Sequence, residues 1–231
     1  MADLATNVAD VRARIAAAAE RSGRRAGDVL LVAVTKTVDA ARVREAAVLG
    51  LRTFGENRVQ EAREKIPAVS AVSGVSWHLI GSLQRNKAKE AARLFDVIES
   101  VDSEALAEEL SRRAAEQERA VDVLIQVNVA REPQKHGASP EEAAAVVRRT
   151  AALPGLRVRG LMTIAPAVSD PDEVRPVFRA LRELRENLQR VLGVALPELS
   201  MGMSEDFEVA VEEGATMVRI GRAIFADRSQ T

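Results

Sequence analysis

The chain has 231 residues, 47% of them hydrophobic and 29% charged, with 33 Lys+Arg against 34 Asp+Glu for a net charge of −1. That balance supplies an ample core, and it excludes the basic excess that holds proteins to nucleic acid and any single-sign tail. Cysteine and tyrosine are absent and the only histidines are His78 and His136, which removes disulfides, thiolate metal sites and a cysteine nucleophile.

The opening segment MADLATNVADVRARIAAAAERSGRR carries charges throughout and lacks the apolar core of a signal peptide. No later segment is apolar for long enough to span a bilayer, so a cytoplasmic protein without membrane or nucleic-acid partners is expected. Residues 4–22 place Leu4, Val8, Val11, Ile15, Ala18 and Ala19 at helical spacing. Residues 29–35 read as a buried strand that runs straight into Lys36. Asp39 is a natural N-cap for a helix over 40–49, and Gly50 its stop. A short strand and turn at 52–57 follows, with Asn57 capping a helix to Lys65. Strands at 75–82 and 96–102 alternate with helices at 85–95 and 103–119, the second capped by Asp102 or Ser103.

The second half keeps the rhythm. Strand 121–129 precedes a helix that opens at Ser139 with Pro140 in its first position. Strand 156–164 precedes a long amphipathic helix over 170–192, and strand 196–202 precedes a short helix over 205–213 capped by Ser204. An eighth strand begins at Thr216 in TMVRIGRAIF. Eight strand–helix units after one leading helix make an α/β protein, a single (β/α)8 TIM barrel domain over 1–231 with an extra N-terminal helix. A doubly wound sheet alternates in the same way, but no G-x-G-x-x-G turn follows any strand.

Barrel active sites form at the C-terminal ends of the strands. Those ends supply Lys36, Glu56 and Asn57, His78 with Gly81 and Ser82, Asn128, Met162 and Thr163, Ser200 to Ser204, and Arg219 with Gly221 and Arg222. The loops after strands seven and eight are where barrels bind phosphate. SMGMSED and RIGRAIF both bring small residues and a helix start there, so Ser204 and Gly221 are read as phosphate ligands rather than a bare cap and turn. An amine at the mouth, walled by apolar strand, is expected to be desolvated and reactive toward a carbonyl, although most strand-end lysines simply extend into water. A lysine with a phosphate cup suits a phosphorylated aldehyde cofactor or a phosphorylated sugar. Arg219 lies in an otherwise apolar strand and needs an acceptor, either a carboxylate such as Glu198 or Glu213 or a pyridine nitrogen.

AVTKT, FGENRVQE, WHLIGSLQRNK, IESVDS, LMTIAP and LSMGMSEDFEVAVEEGATMVRIGRAIF together resemble the pyridoxal-phosphate homeostasis protein family, a single-domain relative of the alanine racemase N-terminal barrel. The resemblance covers nearly the whole chain. It implies pyridoxal 5'-phosphate as cofactor, with Lys36 as its aldimine lysine. It implies Ser204 and the backbone at Gly221 and Arg222 as phosphate ligands, Arg219 facing the ring nitrogen, and Asn57 nearby. It further implies a protein that buffers or delivers the cofactor, meeting apo enzymes transiently, without established turnover; no long apolar stripe is left unaccounted for, so a monomer is expected. Arg222 stands where a small residue or threonine is usual, and Lys135 lies in a loop that carries a lysine in the family.

The missing residue types bear on turnover. Racemases of this fold pair the lysine with a second base, usually tyrosine, and related decarboxylases use a cysteine; this sequence has neither. The chain ends soon after its eighth strand, so a site open on one side is expected, which suits release of a cofactor better than carbanion chemistry. A non-catalytic carrier is therefore the leading reading. The alternatives are a weak racemase using His78 as second base, and a cofactor-free aldolase whose Lys36 binds a sugar phosphate.

Overall fold

Eight parallel strands close on themselves in sequence order, and the last returns to pair with the first. In the computed structural model, which describes residues 4–226, they are β1 (Leu30–Val34), β2 (Thr53–Glu56), β3 (Ser76–Leu79), β4 (Val97–Val101), β5 (Val121–Gln126), β6 (Leu156–Met162), β7 (Glu198–Ser200) and β8 (Met217–Ile220). Parallel neighbours require each connection to cross back outside the sheet. That layer is α2 (Ala40–Val48), α3 (Val59–Lys65), α4 (Ala88–Leu94), α5 (Glu104–Ala115), α6 (Ala143–Ala151), α7 (Arg175–Leu192) and α8 (Phe207–Glu212). A leading helix, α1 (Leu4–Arg21), packs on α8 and on a last short helix, α9 (Arg222–Phe225). The expected (β/α)8 barrel with an extra N-terminal helix is thus the observed one; residues 1–3 and 227–231 of the expected 1–231 domain lie outside the described residues.

The alternation of each strand makes two apolar regions. Outward-facing Ala33, Phe54, Leu79, Ile98, Val123, Leu161 and Val218 pack under the helices in one continuous core. Inward-facing Val32, Leu124, Met162 and Met217 form a separate plug inside the barrel. Two glycines permit close approaches. A Cβ on Gly160 would sit 1.9 Å from the Glu198 carbonyl oxygen, so β6 and β7 would have to move apart to admit any larger residue. Gly193 ends α7 with a left-handed φ of 66°, the usual stop for a long helix.

Several helix starts differ from those expected. Asp39 does cap α2, accepting from the Arg42 amide at 2.8 Å. Asn57 does not cap α3: the N-cap residue is Arg58, with no side-chain cap. Ser204 does not cap α8, whose N-cap residue is Asp206. The helix read from Ser139 begins at Ala143, because Ser139 and Glu142 close a turn of their own, the Ser139 hydroxyl donating to Glu142 Oε2 at 2.8 Å. Ser103 is the N-cap residue of α5, but its hydroxyl donates to Asp102 instead of a helix amide. The helices read over 85–95 and 170–192 each open with a 3-10 turn, at Arg85–Lys87 and Pro171–Val174. Among the described residues, no helix is long and apolar enough to cross a membrane.

Candidate functional site

Val32 and Val34 are buried, and Lys36 follows them two residues on, just past the end of β1, where it is exposed. The apolar wall expected around the Lys36 amine is therefore not supplied by the strand that delivers it. What does lie beside this strand end is the loop after β8. A Cβ on Gly221 would meet the Val34 carbonyl oxygen at 3.1 Å and Val34 Cβ at 3.2 Å, so the glycine lets this loop touch the end of β1. The chain then turns at once into α9, whose first residues have no intrahelical acceptor for their N–H groups. The Ala223 N–H faces the Ser204 hydroxyl at 3.4 Å. Ser204 is held by the turn before α8, in which the Met203 N–H donates to Asp206 Oδ1 at 2.6 Å. Burial pushes the Asp206 carboxyl up, against the hydrogen bond from Met203 and the charge of Arg219.

Lys36, Gly221 and Ser204 thus converge on one mouth. Asn57 is half-buried in the neighbouring loop, where Gly81 is needed because a Cβ there would fall 2.3 Å from the Asn57 carbonyl oxygen. The Arg222 guanidinium does not join them: it pairs with Glu205 at 2.9 Å, with both side chains exposed, so position 222 offers the mouth its backbone alone. Lys135 crosses from the loop after β5 to donate to the Ala165 carbonyl at 3.0 Å, and it pairs with Glu132. It is a fastener between two loops, half-buried, rather than a solvated lysine.

Below the mouth runs a buried polar chain. The Nη1–H of Arg219 donates to Ser200 Oγ at 2.5 Å, and the Ser200 hydroxyl donates to Glu99 Oε2 at 2.5 Å. His78 Nδ1 meets Glu99 Oε1 at 2.7 Å. Arg219 also donates through Nη2 to the Thr163 carbonyl at 2.7 Å. Glu99 is fully buried; burial alone would push its carboxyl up, but the hydrogen bond and charge of His78 and the Arg219 charge hold it below the ordinary value. As the ionised partner it accepts, so His78 donates from Nδ1. Burial lowers the Arg219 guanidinium, opposed by Glu99 and Asp206, and an arginine remains cationic under such shifts. The carboxylate expected in Glu198 or Glu213 is instead Glu99, an ion-pair partner at 3.8 Å, while the hydrogen-bond acceptors are Ser200 Oγ and the Thr163 carbonyl. Glu213 is taken by Arg179 and Arg182, and Glu198 accepts from Thr216.

A second cluster surrounds the base of Lys36, and sequence reasoning did not anticipate it. Lys65, on α3, is 6% exposed, and its amine donates to the Thr35 carbonyl and to Glu56 Oε1, both at 2.7 Å, and to Glu61 Oε2 at 3.2 Å. The Thr35 hydroxyl donates to the same Glu56 oxygen at 2.6 Å. Burial pushes the Glu56 carboxyl up, against its hydrogen bonds from Lys65 and Thr35. Glu61 accepts from the Thr37 N–H at 3.1 Å. Glu99 is the other residue missed; a carboxylate inside the strand VIESV carries the same signal that singled out Arg219. Among the described residues, no three His, Cys, Asp or Glu side chains group as a metal site would require.

Residues 7–229 match the family model of the alanine racemase N-terminal domain. The pyridoxal phosphate homeostasis protein of Aquifex aeolicus is 48% identical over 93% of this chain and 94% of its own length. That of Pseudomonas aeruginosa is 43% identical over 99% and 97%. PipY of Synechococcus elongatus PCC7942, solved with PLP bound, superposes with a TM-score of 0.85 at 38% identity, covering 97% of this chain and 100% of that one.

Proposed function

The chain belongs to the alanine racemase N-terminal domain family, and within it to the pyridoxal phosphate homeostasis proteins; from that premise we propose that it binds pyridoxal 5'-phosphate at the barrel mouth, as one barrel domain over residues 1–231, and holds it without turnover. The observation that supports the reading is the close approach of Gly221 to Val34 at the end of β1, two residues before Lys36, which brings this strand end next to the start of α9. The donor set suits the cofactor. Backbone N–H groups at Arg222 and Ala223, with the Ser204 hydroxyl, suit a phosphate dianion. Lys36 offers an exposed primary amine. When bound, the cofactor supplies an aldehyde that condenses with an amine and a ring able to draw electrons.

The chain's own residues have distinct tasks. Ser204, Gly221 and the backbone of Arg222 anchor the phosphate, and Asn57 walls the adjacent side. Arg219 would present a cation toward the ring and, unlike a carboxylic acid, would keep its protons instead of passing one to the ring nitrogen. An arginine at this position would thus leave a bound ring a weak electron sink, which suits storage. No tyrosine or cysteine occurs in the sequence to serve as a second base, and His78 is engaged with Glu99. We read the protein as a cytoplasmic monomer that buffers the cofactor and passes it to apo enzymes on transient encounter.

The test is direct. Protein incubated with pyridoxal 5'-phosphate and reduced with borohydride should carry a single added mass on the peptide holding Lys36, absent in Lys36→Ala. A label elsewhere, or none, overturns the assignment. Incubation with L-amino acids in deuterated water should leave Cα exchange at the level of the free cofactor, and exchange above it would make the protein an enzyme.

A further inference from the structure

Lys36 sits in a turn whose geometry is unusual for its residues. Thr37, directly after it, has a φ of 63°, in the left-handed region that β-branched residues seldom adopt and that persists only where surroundings enforce it. The enforcement is visible on both sides of the lysine. On the N-terminal side, Lys65 Nζ donates to the Thr35 carbonyl, and Glu56 takes the Thr35 hydroxyl. On the C-terminal side, Glu61 Oε2 accepts from the Thr37 N–H, and the Thr37 hydroxyl donates back to the Lys36 carbonyl at 2.6 Å. Lys65 ties the two sides together, because its amine bonds both Glu56 and Glu61.

We propose that Glu61 and Lys65 are positioning residues for Lys36, holding the 35–37 turn in a strained form that aims the amine at the mouth. Neither side chain needs to touch a ligand. Glu61 is one turn of α3 before Lys65, an i,i+4 pair on a helix face, so a single element of the outer layer sets the conformation of the strand end inside it. A purely architectural role is the competing explanation: Lys65 and Glu56 would then only neutralise one another beneath α3. Glu61 separates the two, because its removal leaves the Lys65–Glu56 pair in place.

The proposal rests on the reading of Lys36 as the cofactor lysine for its ligand, but not for the turn itself. The experiment therefore has a cofactor-free arm. In the apo protein, backbone amide exchange at residues 35–37 should accelerate in Glu61→Ala and stay near wild type in Glu61→Gln, whose amide oxygen can still accept from Thr37. With pyridoxal 5'-phosphate followed by its visible absorbance, Glu61→Ala should raise the dissociation constant about tenfold, ~1.4 kcal/mol, while the melting midpoint hardly moves. Glu61→Gln should bind nearly as wild type. Adding Thr37→Gly to Glu61→Ala should recover much of the lost affinity, since glycine adopts positive φ without strain. Wild-type affinity and wild-type exchange in Glu61→Ala would overturn the proposal, as would an affinity loss that Thr37→Gly leaves untouched. If the wild-type protein takes up no cofactor, the functional reading fails and the exchange arm alone decides the turn.

Discussion

Replacing Glu99 by glutamine, which exchanges one oxygen for an NH2, should destabilise the fold strongly. The carboxylate accepts from His78 and from Ser200 and lies 3.8 Å from the Arg219 guanidinium, with no exposure to water. A glutamine oxygen can keep one of the two hydrogen bonds. Its NH2 group must then face either His78 or Ser200, and Ser200 already receives a hydrogen from Arg219. That NH2 is accommodated only if Ser200 turns its hydroxyl hydrogen away or His78 changes tautomer, and Arg219, 4% exposed, loses the charge that faces it inside the barrel. Breaking a buried pair by removing one partner costs ~3–5 kcal/mol. For a domain of this size each kcal/mol lowers the melting midpoint by about 2–4 °C, so Glu99→Gln should melt roughly 6–20 °C below wild type. The assay is thermal unfolding followed by circular dichroism, repeated with Glu99→Gln combined with Arg219→Met. The double variant removes the stranded cation and should regain part of the loss. A Glu99→Gln midpoint within about 1 °C of wild type, or strictly additive losses in the double variant, would refute the account.

Acidification supplies a second check on the same group. Because the folded state holds the Glu99 carboxyl below its ordinary value, its contribution is full above the unfolded carboxylate range near about 4.3 and is lost as pH falls through the lower folded value; the gap between wild type and Glu99→Gln should close on that descent in parallel urea titrations. Glu56 and Asp206 run the other way, since burial raises both and their share of stability declines as pH climbs toward the raised values. Ser204→Ala should retain the fold and weaken cofactor retention by ~0.5–1.5 kcal/mol, one hydrogen bond's worth, measured as a faster loss of absorbance on dilution. Gly160→Ala should lower stability by ~1–3 kcal/mol in urea unfolding, the usual cost of overpacking, because its Cβ would fall 1.9 Å from a backbone oxygen that the β6–β7 pairing holds in place.

The architecture was legible because each strand is a short apolar run punctuated by a helix signal, and local pattern is enough to count such units. The ends of elements were less so. Ser204 looks like a cap because a helix follows it, yet Asp206 lies closer to that helix and takes the Met203 amide, releasing Ser204 to reach α9. Long-range partners were illegible for a different reason. Arg219 announced that it needed an acceptor, but Glu99, the carboxylate it meets, lies on β4, across the barrel from β8, and no sequence spacing marks that meeting. The Lys65 cluster stayed hidden because α3 reads as an ordinary amphipathic helix; its buried amine emerges only when α3 is laid against the ends of β1 and β2.

The pairing of β8 with β1 has a consequence for biosynthesis. Leu30 and Met217 are register partners, and α1 is fastened to α9, more than two hundred residues later in the chain, by the Asn7 amide donating to the Ile224 carbonyl. A nascent chain still lacking β8 has an unclosed sheet with two bare edges, and it lacks Arg219, Gly221 and the first turn of α9 altogether. Barrel closure therefore waits until β8 has been synthesised, and a chain cut short before it would carry two unpaired sheet edges and a Glu99 with no arginine facing it.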